Sequence, residues 1–348
     1  MTGEPRSPSA PIVVATDLRK GFAGRRTAAD LARFRSAPQL TALDGVSVTL
    51  SPGRILGVVG ESGSGKTTLA RCLVGLVRPD SGSVLFDGQD VLAARGRDLM
   101  AIRRSMQLIY QDPYSSLDPR VRIRDTIAEG ALVHGLVDGA GIDALVRRLL
   151  DLVGLPGTVA DRRPRDLSGG QRQRVAIARA LALQPRVLIA DEAVSALDVS
   201  IQAQILNLLD QLRHELGLAV LFVAHQLGVI AHLADSVAVM YLGSIVESGP
   251  VTDVFLAPRH PYTAALLAAN PGLRPRDGRA PALVGEIPSP FAIPSGCRFS
   301  SRCRFVQERC RASEPELVEL GPNHHARCHV LPPLDGVRRQ ASPPHQGG

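Results

Sequence analysis

Eight residues, from Gly60 to Thr67, constrain this chain more than any others. They read Gly-Glu-Ser-Gly-Ser-Gly-Lys-Thr, which fits the G-x-x-x-x-G-K-[ST] pattern of a phosphate-binding loop. The apolar run 55–59 precedes them and a helical pattern follows, which is the context that such a loop requires. Glycine and serine leave backbone N–H groups free to surround a phosphate, and the start of a helix adds positive potential. The sequence therefore predicts a nucleotide-binding site here.

Lysine usage supports this interpretation. Of the 40 basic residues only Lys20 and Lys66 are lysine, and the other 38 are arginine. A compact, flexible ammonium group reaches between β- and γ-phosphates inside a closed loop, whereas a planar guanidinium does not fit there. The hydroxyl of Thr67 is expected to bind Mg²⁺.

Length and charge set wider limits. At 348 residues the chain exceeds the usual size of one domain, which predicts a large domain with an appendage, or two domains. The formal charge of +7 agrees with a basic surface and by itself does not indicate nucleic acid. No apolar run approaches the ~18 residues of a membrane span, and residues 1–11 do not have the apolar stretch that is expected of a secretory leader.

Changes in composition and periodicity divide the chain into segments. Residues 1–10 are expected to be a disordered lead, and residues 24–39 a polar excursion between two early strands. Strand patterns then alternate with helical ones as far as Gln111. After Asp112 about fifty residues carry helical periodicity without strand candidates, which predicts a helical insertion between two halves of an α/β core.

Polar side chains follow three apolar strands at the points where these strands end. Asp191 and Glu192 follow the run 187–190, His225 follows the run 219–224, and Gln111 follows the run 106–110. Ligands of parallel sheets bind at this edge. Asp191 is expected to hold Mg²⁺, and Glu192 to polarise the attacking water as a general base. Gln111 is expected to reach Mg²⁺ or water, and His225 the γ-phosphate or that water; an ordinary surface histidine is equally compatible with the spacing.

A second possible phosphate-binding end lies at the start of the helix after residue 168. Ser168 is placed as an N-cap, and Gly169 and Gly170 behind it leave N–H groups exposed. An ordinary capped helix is the alternative.

Together these motifs resemble the nucleotide-binding domain of ABC ATPases, over roughly residues 12–255 and in that family's order. The resemblance implies an α/β fold over 11–257, with a RecA-like core, a β subdomain and an inserted helical subdomain at about 112–170. It implies catalytic roles for Glu192, His225 and Gln111, and Mg²⁺ ligation by Thr67, Gln111 and Asp191. The implied ATP-binding residues are Phe22, which stacks on adenine, Gly60, Glu61, Ser62, Gly63, Ser64, Gly65, Lys66, Thr67, Thr68, Ser168, Gly169, Gly170, Gln171 and Asp198.

The same resemblance implies that two such domains dock head to tail, with ATP between the phosphate loop of one and residues 168–170 of the other. The partner is then a second copy or a paralogue. The chain departs from the family pattern in two places: Ala193-Val194 stands where Pro-Thr is commoner, and Gln226 stands where Asp is usual. Neither departure touches a chemical group, so only local geometry is affected.

A finer resemblance is to the ATP-binding subunits of oligopeptide and dipeptide importers. The segments 110–120, 198–204, 240–247 and 260–263 carry it. It implies ATP-driven import of peptides or related small solutes, with two transmembrane permease subunits and an extracytoplasmic solute-binding protein that acts indirectly. It also implies a peripheral position on the cytoplasmic face of the inner membrane. Other subunits set the solute.

The C-terminal part is expected to be a small, irregular, Cys-rich extension over 258–335 with a disordered tail over 336–348. Its cysteines are Cys297, Cys303, Cys310 and Cys328. Their number in a cytosolic chain favours a metal site, but their spacing does not name the metal. Resemblance to relatives of this importer group favours a [4Fe–4S] cluster, with zinc or free thiols as alternatives. Five arginines between residues 298 and 311 either offset thiolate charge or form a solvated basic face.

Two other functions compete with transport. A soluble ABC-type protein acting on nucleic acid would explain the +7 charge and the cysteines, but the chain has no long heptad insertion and no aromatic-rich basic patch. Nucleic acid is therefore not an expected partner. A metal-binding regulator with a degenerate ATPase conflicts with the complete set of catalytic residues.

Overall fold

A computed structural model gives the architecture of the chain. It describes residues 10–24, 39–111, 116–195, 197–270, 285–286 and 288–331, and every structural statement below concerns these residues. The expectations for the lead and tail, for most of the excursion, and for residues 112–115 and Ala196 lie outside them.

Strands alternate with helices through most of the described chain. The strands are β1 (Val13–Ala23), β2 (Gln39–Leu50), β3 (Ile55–Val59), β4 (Ser81–Phe86), β5 (Gln89–Asp90), β6 (Met106–Ile109), β7 (Val187–Asp191), β8 (Ala219–Ala224), β9 (Ser236–Tyr241), β10 (Ser244–Pro250), β11 (Val318–Gly321) and β12 (His324–Ala326). The α-helices are α1 (Lys66–Leu73), α2 (Gly96–Ser105), α3 (Ile123–Val133), α4 (Ile142–Leu152), α5 (Gly169–Leu181), α6 (Val199–Leu216), α7 (Leu227–Leu233), α8 (Val251–Leu256), α9 (Pro261–Ala269) and α10 (Glu308–Ala312).

The larger sheet has the order β11-β12-β10-β9-β3-β8-β7-β6. Neighbours from β9 to β6 are parallel, whereas the pairs from β9 outward to β11 are antiparallel. Every residue of β3, β7 and β8 is buried. This agrees with their continuous apolar runs, because a parallel sheet is covered on both faces.

A smaller antiparallel sheet, in the order β2-β1-β4-β5, lies beside it. Its apolar face shares one core with helix α1, through residues such as Leu18, Leu43, Leu69 and Val84. Cys72, on the same helix, is fully buried there, as a core residue should be.

The segment between β6 and β7 is helical, as its periodicity predicts. It contains helices α3, α4 and α5, and two short 3-10 turns, Gly157–Asp161 and Pro164–Asp166, lie between α4 and α5. They bury an apolar stripe that continues into the core of the larger sheet. The buried stripe explains why this segment needs no strands of its own.

The expectation of an irregular C-terminal extension is wrong over residues 261–269 and 318–326. The first stretch is helix α9, and the second is a hairpin whose strand β12 pairs with β10, Glu247 opposite Ala326. The Glu247 carboxylate, which is fully buried, explains this docking. It accepts hydrogen bonds from the backbone N–H groups of Arg259 and His260 and contacts His324 Nε2 at 2.9 Å. Of these partners only His324 belongs to the hairpin, so the pairing of β12 with β10 brings this contact to the buried carboxylate.

None of the helices in the described part of the chain is both long enough and apolar enough to span a membrane.

Candidate nucleotide-binding site

The phosphate loop connects β3 to α1, and two of its glycines are required by space. Gly60 has φ +156°, and a Cβ there would lie 2.2 Å from the carbonyl oxygen of Met240. Gly65 has φ +104°, and a Cβ there would lie 2.2 Å from the carbonyl oxygen of Ala42. Gly63 also has a positive φ, +79°, but open space surrounds it. The loop therefore packs closely against neighbouring backbone at both ends, whereas its middle, with the exposed Ser62, faces open space.

Lys66 points back into the loop that precedes it. Its Nζ donates to the carbonyl oxygens of Gly60 and Glu61, both at 2.9 Å, and only 4% of the residue is exposed. Burial lowers the pKa of this ammonium, and the carboxylates of Glu192, Asp191 and Glu61 oppose that effect. The loop thus holds one buried positive charge, which suits a polyphosphate ligand.

The turn between β9 and β10 supports the loop from behind. The backbone N–H of Gly243 donates to the carbonyl oxygen of Ser64 at 3.0 Å, and the N–H of Asp44 donates to the carbonyl oxygen of Gly243 at 2.8 Å. The turn, the phosphate loop and strand β2 are thereby tied together.

Thr67 and Asp191 meet across the base of the site. Thr67 Oγ1 donates to Asp191 Oδ1 at 3.1 Å, and Asp191 ends strand β7. Burial raises the pKa of the Asp191 carboxyl, while the Thr67 hydrogen bond lowers it. A hydroxyl and a carboxylate beside a phosphate loop suit Mg²⁺, which takes few protein ligands and fills its shell with phosphate oxygens and water.

Glu192 stands where the three strand-end predictions converge. Gln111 Nε2 donates to Glu192 Oε2 at 2.7 Å, and His225 Nδ1 lies 3.8 Å from the same oxygen. The backbone of Glu192 has φ +48°, an unusual value for a residue other than glycine. Residues with such backbone angles persist only where the surrounding structure holds them, and they cluster at active sites. The geometry aims one carboxylate at the space between the ends of β6, β7 and β8.

The second phosphate-binding candidate is a capped helix in this chain. Ser168 Oγ accepts from the N–H of Gln171 at 3.3 Å, and Gln171 Oε1 accepts from the N–H of Ser168 at 3.1 Å. A Cβ at Gly170 would lie 2.5 Å from Ile201 Cγ2, so this end packs closely on α6. Asp198 is the N-cap position of α6. The capping box alone suits either alternative for this segment.

Phe22 lies near the end of β1 and is 40% exposed, as a side chain that stacks on a ligand must be. Lys20 Nζ lies 5.5 Å from the centre of its ring and is paired with Asp80 at 2.7 Å. Thr68 is half-buried in the first turn of α1.

Sequence reasoning missed the contribution of the C-terminal segment to this site. Arg302 Nη1 donates to Glu61 Oε2 at 2.7 Å, and its Nη2 donates to Glu61 Oε1 at 3.1 Å. Tyr262 OH accepts from the backbone N–H of Glu61 at 2.9 Å. Arg298 bonds Asp44, Glu314 and the carbonyl oxygen of Leu242. Only 5% of the Arg298 side chain and 4% of the Arg302 side chain are exposed, so for these two arginines the alternative of a solvated basic face is wrong.

The four C-terminal cysteines lie close enough to one another for their charges to interact. Burial raises the pKa of Cys297 to about 11, and the thiols of Cys328, Cys303 and Cys310 add to that effect. Burial raises the pKa of Cys303 as well, and the Arg304 guanidinium opposes that effect, as an arginine that offsets thiolate charge should. Within the ranges that the structure describes, however, no three Cys, His, Asp or Glu side chains form a group that fits a metal ion.

Comparison with known families gives two matches. The family described as ABC transporter matches residues 43–195, and the family described as oligopeptide/dipeptide transporter, C-terminal region, matches residues 246–310.

Curated relatives match most of the chain. A probable peptide ABC transporter ATP-binding protein of Sinorhizobium fredii is 49% identical over 86% of this chain and 85% of its own length. The di/tripeptide transport ATP-binding protein DppF of Pseudomonas aeruginosa is 44% identical over 91% of this chain and 97% of its own. The oligopeptide transport ATP-binding protein AppF of Bacillus subtilis is 43% identical over 85% and 91%.

Solved structures match about two thirds of the chain. A dimeric ATP-binding cassette in a post-hydrolysis state with ADP and phosphate superposes with a TM-score of 0.60 at 26% identity, over 69% of this chain and 98% of that one. The protein cbiO1 of Clostridium perfringens, part of an ABC transporter complex, superposes with a TM-score of 0.59 at 28% identity, over 70% and 90%.

Proposed function

This chain belongs to the family of ABC transporter ATP-binding proteins, and from that premise we propose that it binds and hydrolyses ATP to drive import of di- or oligopeptides. The observation that carries the proposal is the convergence of Gln111 and His225 on Glu192, beside the Thr67–Asp191 pair. Relatives named for peptide transport support the choice of solute.

Each side chain has a proposed task in hydrolysis. Lys66 and the N–H groups of the loop would hold the β- and γ-phosphates. Thr67, Gln111 and Asp191 would hold Mg²⁺, which would offset charge on the phosphates. Glu192 accepts a proton from the attacking water, and Gln111 orients the carboxylate. His225 donates to the γ-phosphate or positions the water. Phe22 stacks on the adenine.

We propose that the site is completed by a second ATPase subunit, either a copy of this chain or a paralogue. Ser168, Gly169, Gly170 and Gln171 of one subunit would face the phosphates bound by the other, with Asp198 beside them. The N-terminal end of a 13-residue helix suits an anion there. The similar solved cassette that is dimeric supports this arrangement.

The proposed complex includes two permease subunits, with a solute-binding protein acting on them from outside. The chain would lie on the cytoplasmic face of the inner membrane without crossing it. In this arrangement Gln111 would couple the two functions: because it adjoins the helical insertion, a change at the γ-phosphate would move the insertion against the permeases.

The domain division stays part of the proposal. Residues 11–257 would form the ATPase domain, with a helical subdomain at about 112–170, and residues 258–335 the extension. The pairing of β10 with β12 means that the two parts share one sheet.

We also keep the prediction that Cys297, Cys303, Cys310 and Cys328 hold a [4Fe–4S] cluster, with zinc as the alternative. The side chains as placed do not form a metal shell, so no step of the ATPase cycle is assigned to such a group. The test is the iron, sulfide and zinc content of chain purified without oxygen, beside the Cys297→Ser variant. Four free thiols and no metal would reject both the cluster and zinc.

The central experiment reconstitutes the chain with its permeases in vesicles and measures ATP turnover and uptake of labelled dipeptides. Turnover and uptake that both depend on MgATP would support the proposal. Turnover without uptake of any peptide would reject the solute, and absence of turnover with every paired subunit would reject the ATPase.

A further inference from the structure

The phosphate loop is fixed from outside the ATPase motifs, by side chains of the C-terminal segment. Glu61, the first variable residue of the loop, is held at two points: Tyr262 OH accepts from its N–H, and Arg302 pairs with both carboxylate oxygens. Tyr262 and Arg302 lie about 200 and 240 residues further along the chain.

These two anchors are themselves rigid. Tyr262 and Tyr241 are buried, with ring centres 4.6 Å apart, and Phe299 meets Tyr241 edge to face at 5.4 Å. The Arg302 guanidinium lies 5.9 Å from the ring centres of Tyr241 and Phe299, and its Nη1 reaches Tyr241 OH at 3.4 Å. Such cation–π and hydrogen-bond contacts leave the guanidinium little freedom.

Charge gives this contact a consequence for ligand binding. A carboxylate within a loop that surrounds a triphosphate repels the ligand unless a cation neutralises it. Only 4% of the Arg302 side chain and 21% of the Glu61 side chain are exposed, so water screens this pair weakly. Glu61 is also close enough to act on the charge of Lys66.

We propose that Arg302 is a positioning residue for ATP: it neutralises Glu61 and holds the phosphate loop in its binding shape, so that the C-terminal segment sets nucleotide affinity. The inference rests on the proposed ATPase function and extends it to residues outside the cassette motifs. Arg302 itself touches no reacting atom.

The test compares MgATP affinity and ATPase kinetics of full-length variants in the assembled transporter. Arg302→Ala is expected to weaken MgATP binding about tenfold, which corresponds to about 1.4 kcal/mol, and to raise KM while kcat at saturating ATP is retained. Arg302→Lys keeps the charge but loses the two-pronged geometry, so its MgATP affinity should lie between those of wild type and Arg302→Ala. Arg311→Ala is the matched control, because Arg311 is exposed and belongs to the same segment.

A second substitution separates electrostatics from folding. If the unpaired Glu61 carboxylate causes the loss, Arg302→Ala combined with Glu61→Gln should recover affinity to within about threefold of wild type. Equal affinity of wild type and Arg302→Ala would overturn the inference, and so would a double variant as weak as Arg302→Ala alone. A wild-type chain that bound no MgATP would remove the proposed function itself, and this inference with it.

Discussion

Gln111 Nε2 and Glu192 Oε2 are 2.7 Å apart, so the residue that opens the helical insertion is bonded to the proposed general base. Movement of the insertion relative to the sheet would therefore change the orientation of the carboxylate. One hydrogen bond thus connects the residue that precedes the helical insertion with the proposed general base.

Glu192→Gln should separate ATP binding from turnover. The amide keeps the shape of the side chain and an oxygen that accepts from Gln111, but it does not take a proton. Turnover should fall by roughly 10²–10⁴, with MgATP affinity little changed. Steady-state phosphate release and nucleotide binding measure the two effects. Glu215→Gln, on the exposed end of α6, is the control, and full turnover of Glu192→Gln would remove that residue from its role.

The loop glycines should differ in their tolerance of alanine. A methyl group at Gly65 would lie 2.2 Å from a backbone oxygen, so Gly65→Ala should abolish MgATP binding or folding. Gly63→Ala meets no atom within 4 Å and pays only the left-handed backbone cost, roughly 1–2 kcal/mol. Thermal unfolding and nucleotide binding test both. Equal effects at the two positions would contradict the close approach of Ala42.

Asp191 should make the Mg²⁺-free chain less stable as the pH rises. Burial raises the pKa of Asp191 in the folded chain, so the unfolded chain gives up this proton first. The destabilisation begins near the ordinary aspartate pKa of about 3.9 and is complete above the raised folded value. Without Mg²⁺, Asp191→Asn should melt at a higher temperature than wild type at pH 8, and at the same temperature below about pH 3. Thermal melts across this range check it, and MgATP should reverse the order at pH 8.

The thiols of Cys72 and Cys297 should react slowly in the folded chain. Burial raises the pKa of each to about 11, whereas an exposed cysteine has a pKa near 8.5. Near pH 8 the reactive thiolate fraction is therefore smaller by roughly 10²-fold. Alkylation followed by mass spectrometry, with and without denaturant, measures the difference. Rapid labelling of either residue in folded chain would contradict its burial.

Glu247→Gln should loosen the C-terminal hairpin from the sheet. The carboxylate serves two backbone N–H groups and His324, and an amide has a single acceptor oxygen for them. We expect a loss of about 2–4 kcal/mol in the free energy of unfolding. Urea unfolding gives the loss, and hydrogen exchange in β12 locates it. Glu319→Gln, exposed on β11, should change neither.

Sequence reasoning predicted the phosphate loop and the strand-end residues because each depends on local pattern. Gln111, Asp191, Glu192 and His225 all follow apolar runs, and parallel strands bring such ends to one edge. The helical insertion was predictable for the same reason, since its periodicity changes at one point in the chain.

The C-terminal segment was not predictable in the same way. Strands β11 and β12 are only four and three residues long, and half of β11 is exposed, so no period-2 pattern marks them. The Arg302–Glu61 pair joins residues that are 241 positions apart, and no local sequence pattern around either residue predicts the other. Long-range pairing of this kind depends on the assembled fold.

The turn at Leu242 and Gly243 has a consequence for how this chain can vary in evolution. Surface turns usually accept insertions, but this one bonds the phosphate loop, strand β2 and Arg298 at once. A Cβ on Gly243 would lie 3.1 Å from the carbonyl oxygen of Ala42, so the turn also packs closely against strand β2. Homologues should therefore vary in length at almost any other hairpin before they vary at this one.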